Sequence, residues 1–470
     1  MSDYPTPITR GEIYLAGIAG EPVALPEPIT REEKYLAYIA ENGSGGSPQP
    51  AADLHTLISG AEEIAFSGLA DDDYLAVDDT SASAGKKLAI QELKDYIMEN
   101  AGGMEDALVT RSLAKYKNNR VEEIADYVFA YDTGIQEVVF QSCLSIGSSA
   151  FLGCQALTEA TFPMCETINA YTFSSCSALA SISFPLCESI GINAFAACIS
   201  LQSANFPACK TIGNGAFRFC GKLETISFPV CTSIWNDAFY SCILLKSAIL
   251  PSCTTIGSTA FNYCPSLQAA NFPACKTIGN GAFRLCGKLE TISFPVCTSI
   301  GNDAFHGCNL LKSVIFPSCT TIGAQAFQNC SVLSDVYLPA CTSIAGYVFW
   351  YCSALSTISL PVCVDIGPNA FDGCTSLERA ILPACKSINK TVFKNCYNLI
   401  SLYLLSPSIC SYVGPDAFVS TPISNYSAVA GRYGSIYVPA SLLTAYQTAW
   451  SQFSDRFVGM TNADIETLLG

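Results

Sequence analysis

The side chains in this sequence with the chemistry to ligate a metal, attack a carbonyl or exchange disulfides are 25 cysteines and 2 histidines. A zinc site gathers Cys and His at compact spacing, and acyl transfer needs a nucleophile beside a general base. Neither demand is met. His55 lies in an acidic stretch and His306 in a variable position far along the chain, with no Ser-His-Asp or Cys-His set around either. The cysteines instead form two series, Cys143 to Cys385 and Cys154 to Cys396, each advancing by 22 residues, with Cys410 left over. Neither that step nor the offset of 11 between the series fits a compact zinc motif, and the regularity argues against a small disulfide framework. Neighbours in a series stand one strand apart, about 4.8 Å, so distance alone does not forbid bridging. The reading preferred is of reduced, buried thiols acting as small apolar fillers. No catalytic residue, metal or cofactor is expected, and Gly43 to Gly46 is a linker and not a phosphate loop.

What positions the cysteines is a repeated 22-residue unit. Thirteen phenylalanines, from Phe129 through Phe151 and Phe173 to Phe393, stand in step, and internal repetition outranks any other signal. Counting from the repeat Phe, Cys follows at +3, Leu at +6, an aliphatic residue or Ala at +9, Phe or Leu at +11, Pro at +12, Cys at +14 and Ile at +17. The residues from +6 to +11 alternate apolar with small polar types, which predicts one short strand per unit with a buried face. Pro at +12 has no amide to donate and ends that strand. The A-F and I-G segments then return the chain, with Phe filling the interior. Thirteen such strands stack to about 60 Å. The glycine of I-G invites a left-handed backbone, but Asn169, Trp235, Ala345 and Asn389 share its slot, so that assignment is rejected.

The segment Leu157, Ala160, Phe162, Cys165 carries the L-x-x-A-x-F-x-x-C spacing of a leucine-rich repeat. The fuller wording I-G-x-x-A-F-x-x-C-x-x-L-x-x-I-x-F-P resembles the BspA-like leucine-rich repeat family over residues 121 to 460. The resemblance implies an α/β repeat solenoid of 22-residue rungs and a surface protein that binds partners without turning over substrate.

The net charge of −16 is uneven: residues 1 to 128 hold 23 acidic and 10 basic side chains, the remainder 17 and 14. No basic patch with interleaved aromatics exists to bind nucleic acid. Residues 1–43 are expected to form a duplicated short-helix segment, with Thr9 and Glu12, and Thr30 and Glu33, placed as capping boxes. Such helices need a partner, within the chain or in a larger assembly. A Gly/Ser/Pro linker follows at 44–50 and a small acidic module at 51–120, with a strand at 71–78 and a helix at 87–100. The cluster Asp71 to Asp73 lacks the pattern of a calcium loop and reads as a solvated turn. The wording of the first hundred residues resembles phage and prophage tail-fibre-associated modules. The solenoid is expected at 121–404 and a degenerate repeat with a cap at 405–470, where Ser435 to Trp450 resembles the closing strand and helix of the family. The opening MSDYPTPITRGEIYL lacks a basic n-region followed by an apolar run, and no later stretch is long enough to span a membrane.

The sequence compared with itself points to a binding surface. Ser200 to Phe239 and Ser266 to Phe305 differ at three places in 40, a duplication offset by 66. Across it and the next rung, the two residues after each repeat Phe change at five of six positions. Large side chains collect there: Arg218, Phe219, Tyr240, Tyr263, Trp350 and Tyr351. Trp, Tyr and Arg supply much of interface energy, so this ribbon is one candidate recognition surface, and drift at exposed turns is the plainer account. The rival is the strand face, which turns heavier at Asp335, Tyr337, Arg379, Ile381 and Tyr403, as a second contact patch or as the approach to the cap. The expected function is non-enzymatic recognition of a protein or cell-surface ligand. Its setting is read as a phage or prophage tail, where no Sec signal is needed, with a bacterial surface or secreted adhesin as the alternative.

Overall fold

The computed structural model describes residues 115–118, 121–412, 414–424 and 433–469. The duplicated segment, the linker and the strand and helix expected at 71–78 and 87–100 lie outside the described residues.

The chain from Lys115 onward is a parallel-strand solenoid of 22-residue rungs. Each rung carries the expected three-residue strand at +8 to +10, as in Ser181–Ser183 and Thr225–Ser227. It also carries a second strand of two residues at +16 and +17, as in Thr211–Ile212 and Ser233–Ile234. Both pair in parallel with their equivalents one rung away, Thr225 with Ser203 and Ile212 with Ile234. The two-residue strands run unbroken as a 14-stranded sheet from Glu123–Ile124 to Ser411–Tyr412, while the three-residue strands form shorter ladders. Alternation decides the facing of the longer strand: Ile182 is buried between exposed Ser181 and Ser183.

A third side is built from the segment around the repeat Phe. The amides of Ser149, Phe151 and Gly153 donate to the carbonyls of Ala170, Thr172 and Ser174 in the next rung, at 2.7 to 2.8 Å. Main-chain hydrogen bonds thus join neighbouring rungs on all three sides, and the interior is left to apolar side chains. The repeat phenylalanines stack in a column, Phe151 on Phe173 with ring centres 5.1 Å apart. The +11 phenylalanines form a second column, with Phe162 edge-on to Phe173 at 6.0 Å. Each such pair contributes about 0.5–1.5 kcal/mol beyond area burial. The columns are what the 22-residue period preserves.

The I-G glycines do not have positive φ, as the mixed occupancy of the slot requires. Their role is close approach: a Cβ on Gly191 would lie 2.5 Å from the Asn169 carbonyl carbon one rung back. Where Asn takes the slot its amide makes a bond instead, Asn169 Nδ2 donating to the Ile146 carbonyl at 3.0 Å.

The first strand, Lys115–Asn118, pairs in register with Glu137–Phe140, and Tyr116 packs edge-on against Phe129 at 5.0 Å. The ladder therefore starts six residues ahead of Val121, inside the stretch expected to belong to the acidic module. At the far end Phe418 stacks on Phe393 despite the frame slip. Ser435–Pro439 continues the outer ladder beside Ser401–Tyr403, and Phe457–Met460 follows it. Helix α1 (Leu443–Ala449) lays Tyr446 and Trp450 over the last rung. The Cys410 amide donates to Tyr446 Oη at 2.7 Å, and Trp450 Nε1 donates to the Cys410 carbonyl at 3.0 Å. Helix α2 (Asn462–Leu469) closes the outer face, where Ile381, Tyr403 and Leu405 are buried against Met460, Ile465 and Leu468. Among the described residues no helix is long and apolar enough to cross a membrane.

Candidate recognition surface

All 25 cysteines are free and buried. Those at +3 donate to the Phe carbonyl of the preceding rung, Cys176 Sγ to Phe151 O at 3.2 Å, and those at +14 donate within their own rung, Cys165 Sγ to Thr167 O at 3.3 Å. Burial pushes the Cys198 thiol up to about 12 and the Cys143 thiol up to about 11, so thiolate is disfavoured. Among the described residues no group of three or more His, Cys, Asp or Glu could hold a metal ion. His306 pairs with Asp303 through Nδ1 at 3.1 Å.

The segment around each repeat Phe is a run of tight turns. Leu152 N donates to Ser149 O and Cys154 N to Phe151 O, and positive φ falls at positions −2 and +2. The second residue of the candidate ribbon is therefore left-handed in every rung: Phe219 at φ 63°, Tyr263 at 58°, Leu285 at 60°, Tyr351 at 56°. Large +2 side chains lie over the next rung. A Cβ on Gly373 would stand 2.7 Å from the Tyr351 ring, and one on Gly153 would stand 2.8 Å from the Tyr131 ring. Glycine after an aromatic is what lets the ring lie down.

The six ribbon residues fall on the neighbouring +1 and +2 rows and in two clusters. Arg218 holds its guanidinium 4.6 Å from the Phe219 ring centre and 5.3 Å from that of Tyr240, and Phe219 meets Tyr240 edge-on at 5.5 Å. Tyr263, half exposed, is one rung on. Trp350 and Tyr351 stand together at 4.9 Å, joined by Tyr347, whose ring lies 5.4 Å from that of Trp350. The +1 residues are more buried than expected of a ribbon. Four buried polar atoms lack a hydrogen-bond partner among the described residues, Asn262 Oδ1, Arg284 Nε, Gln328 Oε1 and Trp350 Nε1, and all four belong to this +1 row.

Between the clusters runs an open trough of 630 Å³. Its wall is the +2 row, Leu285, Gly307, Asn329 and Tyr351, and its other side the +4 row, Asn309, Ser331 and Ser353, with His306 of the +1 row also in the lining. Sequence reasoning misses these residues because it looks for large side chains. The signal was the same duplication: Gly307 and Asn329 stand where the earlier copy has Ser241 and Tyr263. On the strand face Asp335, Tyr337 and Arg379 are exposed. Ile381 and Tyr403 are not part of an open patch: both are buried under α2, Tyr403 stacked on Tyr437 at 4.5 Å, because the cap extends the outer ladder past them.

The repeat architecture has a counterpart among protein families. The family described as BspA type leucine rich repeat region matches residues 114–222, 210–333 and 320–429, as six copies. The chain belongs to this family. Solved structures resemble it at TM-scores below 0.5. A leucine-rich repeat protein from Bacteroides ovatus is 28% identical, with 61% of this chain and 82% of that one covered, at a TM-score of 0.49. A leucine rich cell surface protein from Faecalibacterium prausnitzii is 22% identical over 64% and 90%, at 0.30. The pneumococcal vaccine antigen PcpA is 18% identical over 72% and 83%, at 0.37. None of the curated proteins matches this BspA-type chain.

Proposed function

We propose that this BspA-type solenoid is a non-enzymatic recognition protein, binding a protein or cell-surface ligand through the row of residues after each repeat Phe. One observation carries the reading. A left-handed backbone costs an L-residue about 1–2 kcal/mol, and glycine nothing. Gly153, Gly307 and Gly373 fill the +2 position without strain, yet Phe219, Tyr263 and Tyr351 hold aromatic rings there in solvent. Stability does not favour an exposed aromatic at that place, and an interface does. The orphaned polar atoms of the +1 row, Trp350 Nε1 among them, support the same reading.

The setting we assign is a bacterial cell surface or the secreted fraction, the usual place for the family. The tail-associated setting rests only on the wording of the first hundred residues, which precede the matched span. Labelled protein measured by flow cytometry on intact bacterial and epithelial cells tests the reading. Replacing Arg218, Phe219, Tyr240, Tyr263, Trp350 and Tyr351 by Ala is expected to abolish cell binding and leave the cooperative melt in place. Undiminished binding by that variant, with loss on replacing Asp335, Tyr337 and Arg379, would move recognition to the strand face.

A further inference from the structure

Resting on that recognition reading, we propose that the trough between Leu285 and Tyr351 binds a neutral oligosaccharide. Its shape suits a short linear chain: it is open, holds 630 Å³ and crosses four rungs, about 14 Å at the spacing of paired strands. Apart from His306, the polar groups facing it are uncharged side-chain amides and hydroxyls. Asn309 and Asn329 offer side-chain amides that bond to no other group among the described residues, and each such amide both donates and accepts. Ser353 Oγ donates to the Ser331 carbonyl at 3.0 Å and keeps its lone pairs for a donor. The His306 imidazole is held by Asp303. Sugar hydroxyls, which also donate and accept, are the complement of such a set.

Tyr351 supplies the other half of sugar recognition, a flat aromatic face for the C–H face of a pyranose ring. It is 48% exposed, braced by Trp350 at 4.9 Å, and settled over Gly373 where no Cβ lifts it. A ring fixed in this way contributes contact at little entropic cost.

A peptide is served less well. Strand addition needs free main-chain amides, and those of the wall are taken: Leu285 N donates to His306 O, Gly307 N to Gln328 O, Asn329 N to Trp350 O and Tyr351 N to Asp372 O, at 2.7 to 2.9 Å. The trough has no deep apolar socket for a side-chain anchor and no fixed charge to pair with one.

The test applies the full chain to an array of neutral, sialylated and sulfated oligosaccharides, then titrates the strongest neutral trisaccharide or tetrasaccharide by calorimetry. Saturable binding of a neutral chain is expected, weakened about tenfold or more by Tyr351→Ala and by Asn329→Ala, and unchanged by Lys222→Ala, an exposed residue three rungs before the trough. Thermal melts of the three variants check that each is folded. Binding confined to charged oligosaccharides, or equal binding by all variants, overturns the proposal. So does selection of peptides from a displayed library whose binding Tyr351→Ala removes. If cells bind the protein through the six ribbon residues but free neutral oligosaccharide does not compete, the sugar assignment fails and the recognition reading stands. If the oligosaccharide binds but cells do not, the recognition reading fails and the assignment stands.

Discussion

Gly373 answers two demands at once, a φ of +77° and the Tyr351 ring resting where a Cβ would be. Gly373→Ala is expected to destabilise by about 1–2 kcal/mol from the backbone alone, with a further loss from displacing the ring. In a Tyr351→Ala background the ring term vanishes, so the two substitutions should couple by roughly 0.5 kcal/mol or more in urea midpoints at constant m. The same left-handed requirement is legible in the sequence once the right columns are compared. Position −2 holds Asn193, Asp237, Asp303 and Asn369 with Gly215 and Gly281, and +2 holds Gly153, Gly307, Gly373, Asn329 and Asn395. The conspicuous I-G glycine draws the eye elsewhere, and the aromatics interleaved at +2 hide the pattern. The thiols make a second prediction at this scale. Burial holds most of them above the ordinary value of 9.0, with Cys385 lowered by its contact with Cys410 as the exception, so the folded state keeps protons that the unfolded chain gives up. For thiols such as Cys143 and Cys198 that contribution is fully present below pH 9 and lost as pH rises through about 11 to 12, and for those raised further, such as Cys176, it is lost at higher pH. The melting temperature should fall steeply over that window. At neutral pH, non-reducing denaturation should expose nearly all 25 thiols, of which native protein shows few; release of only a small fraction would mean disulfides.

Among elements, the outer strand was readable because three alternating residues and a following Pro announce it. The two-residue strand was not, since two residues contain no alternation; only the recurring Ile at +17 hinted that something repeated there was buried. The trough escaped for a related reason, being made by what is small in one copy of the duplication and large in the other. The cap was readable as closure but not in its reach: Ile381 and Tyr403 are heavy because α2 covers them, which a pattern of strand residues does not disclose. The join between cap and stack is concentrated at Cys410, whose amide and carbonyl both meet aromatic side chains of the cap. Trp450→Phe keeps an aromatic ring but removes the donor and some volume, and the buried carbonyl left unmatched by itself costs about 1–3 kcal/mol. Hydrogen exchange should then quicken in the rungs near Cys410 and stay unchanged near Cys231, because stability passes from rung to rung.

For the whole molecule, independence of the front segment is a matter of where the first rung is closed. A fragment beginning at Ser112 retains Lys115–Asn118 and Tyr116 over Phe129, and should melt cooperatively like the full chain. One beginning at Val121 loses that strand and uncovers the end of the Phe column. Its first rungs should exchange freely, with the remainder intact. Collapse of the longer fragment would show that residues before Ser112 form part of the cap.

Because the bonds that join neighbouring rungs run along the axis of the stack, a pull applied at its two ends loads them one rung at a time, as in opening a zip. Each rung let go is 22 residues of chain, which extended adds roughly 70 Å of reach. Anchored at one end and holding a target by its ribbon, the solenoid would yield under tension in equal steps, lengthening the tether while the rungs beyond stay closed around their grip.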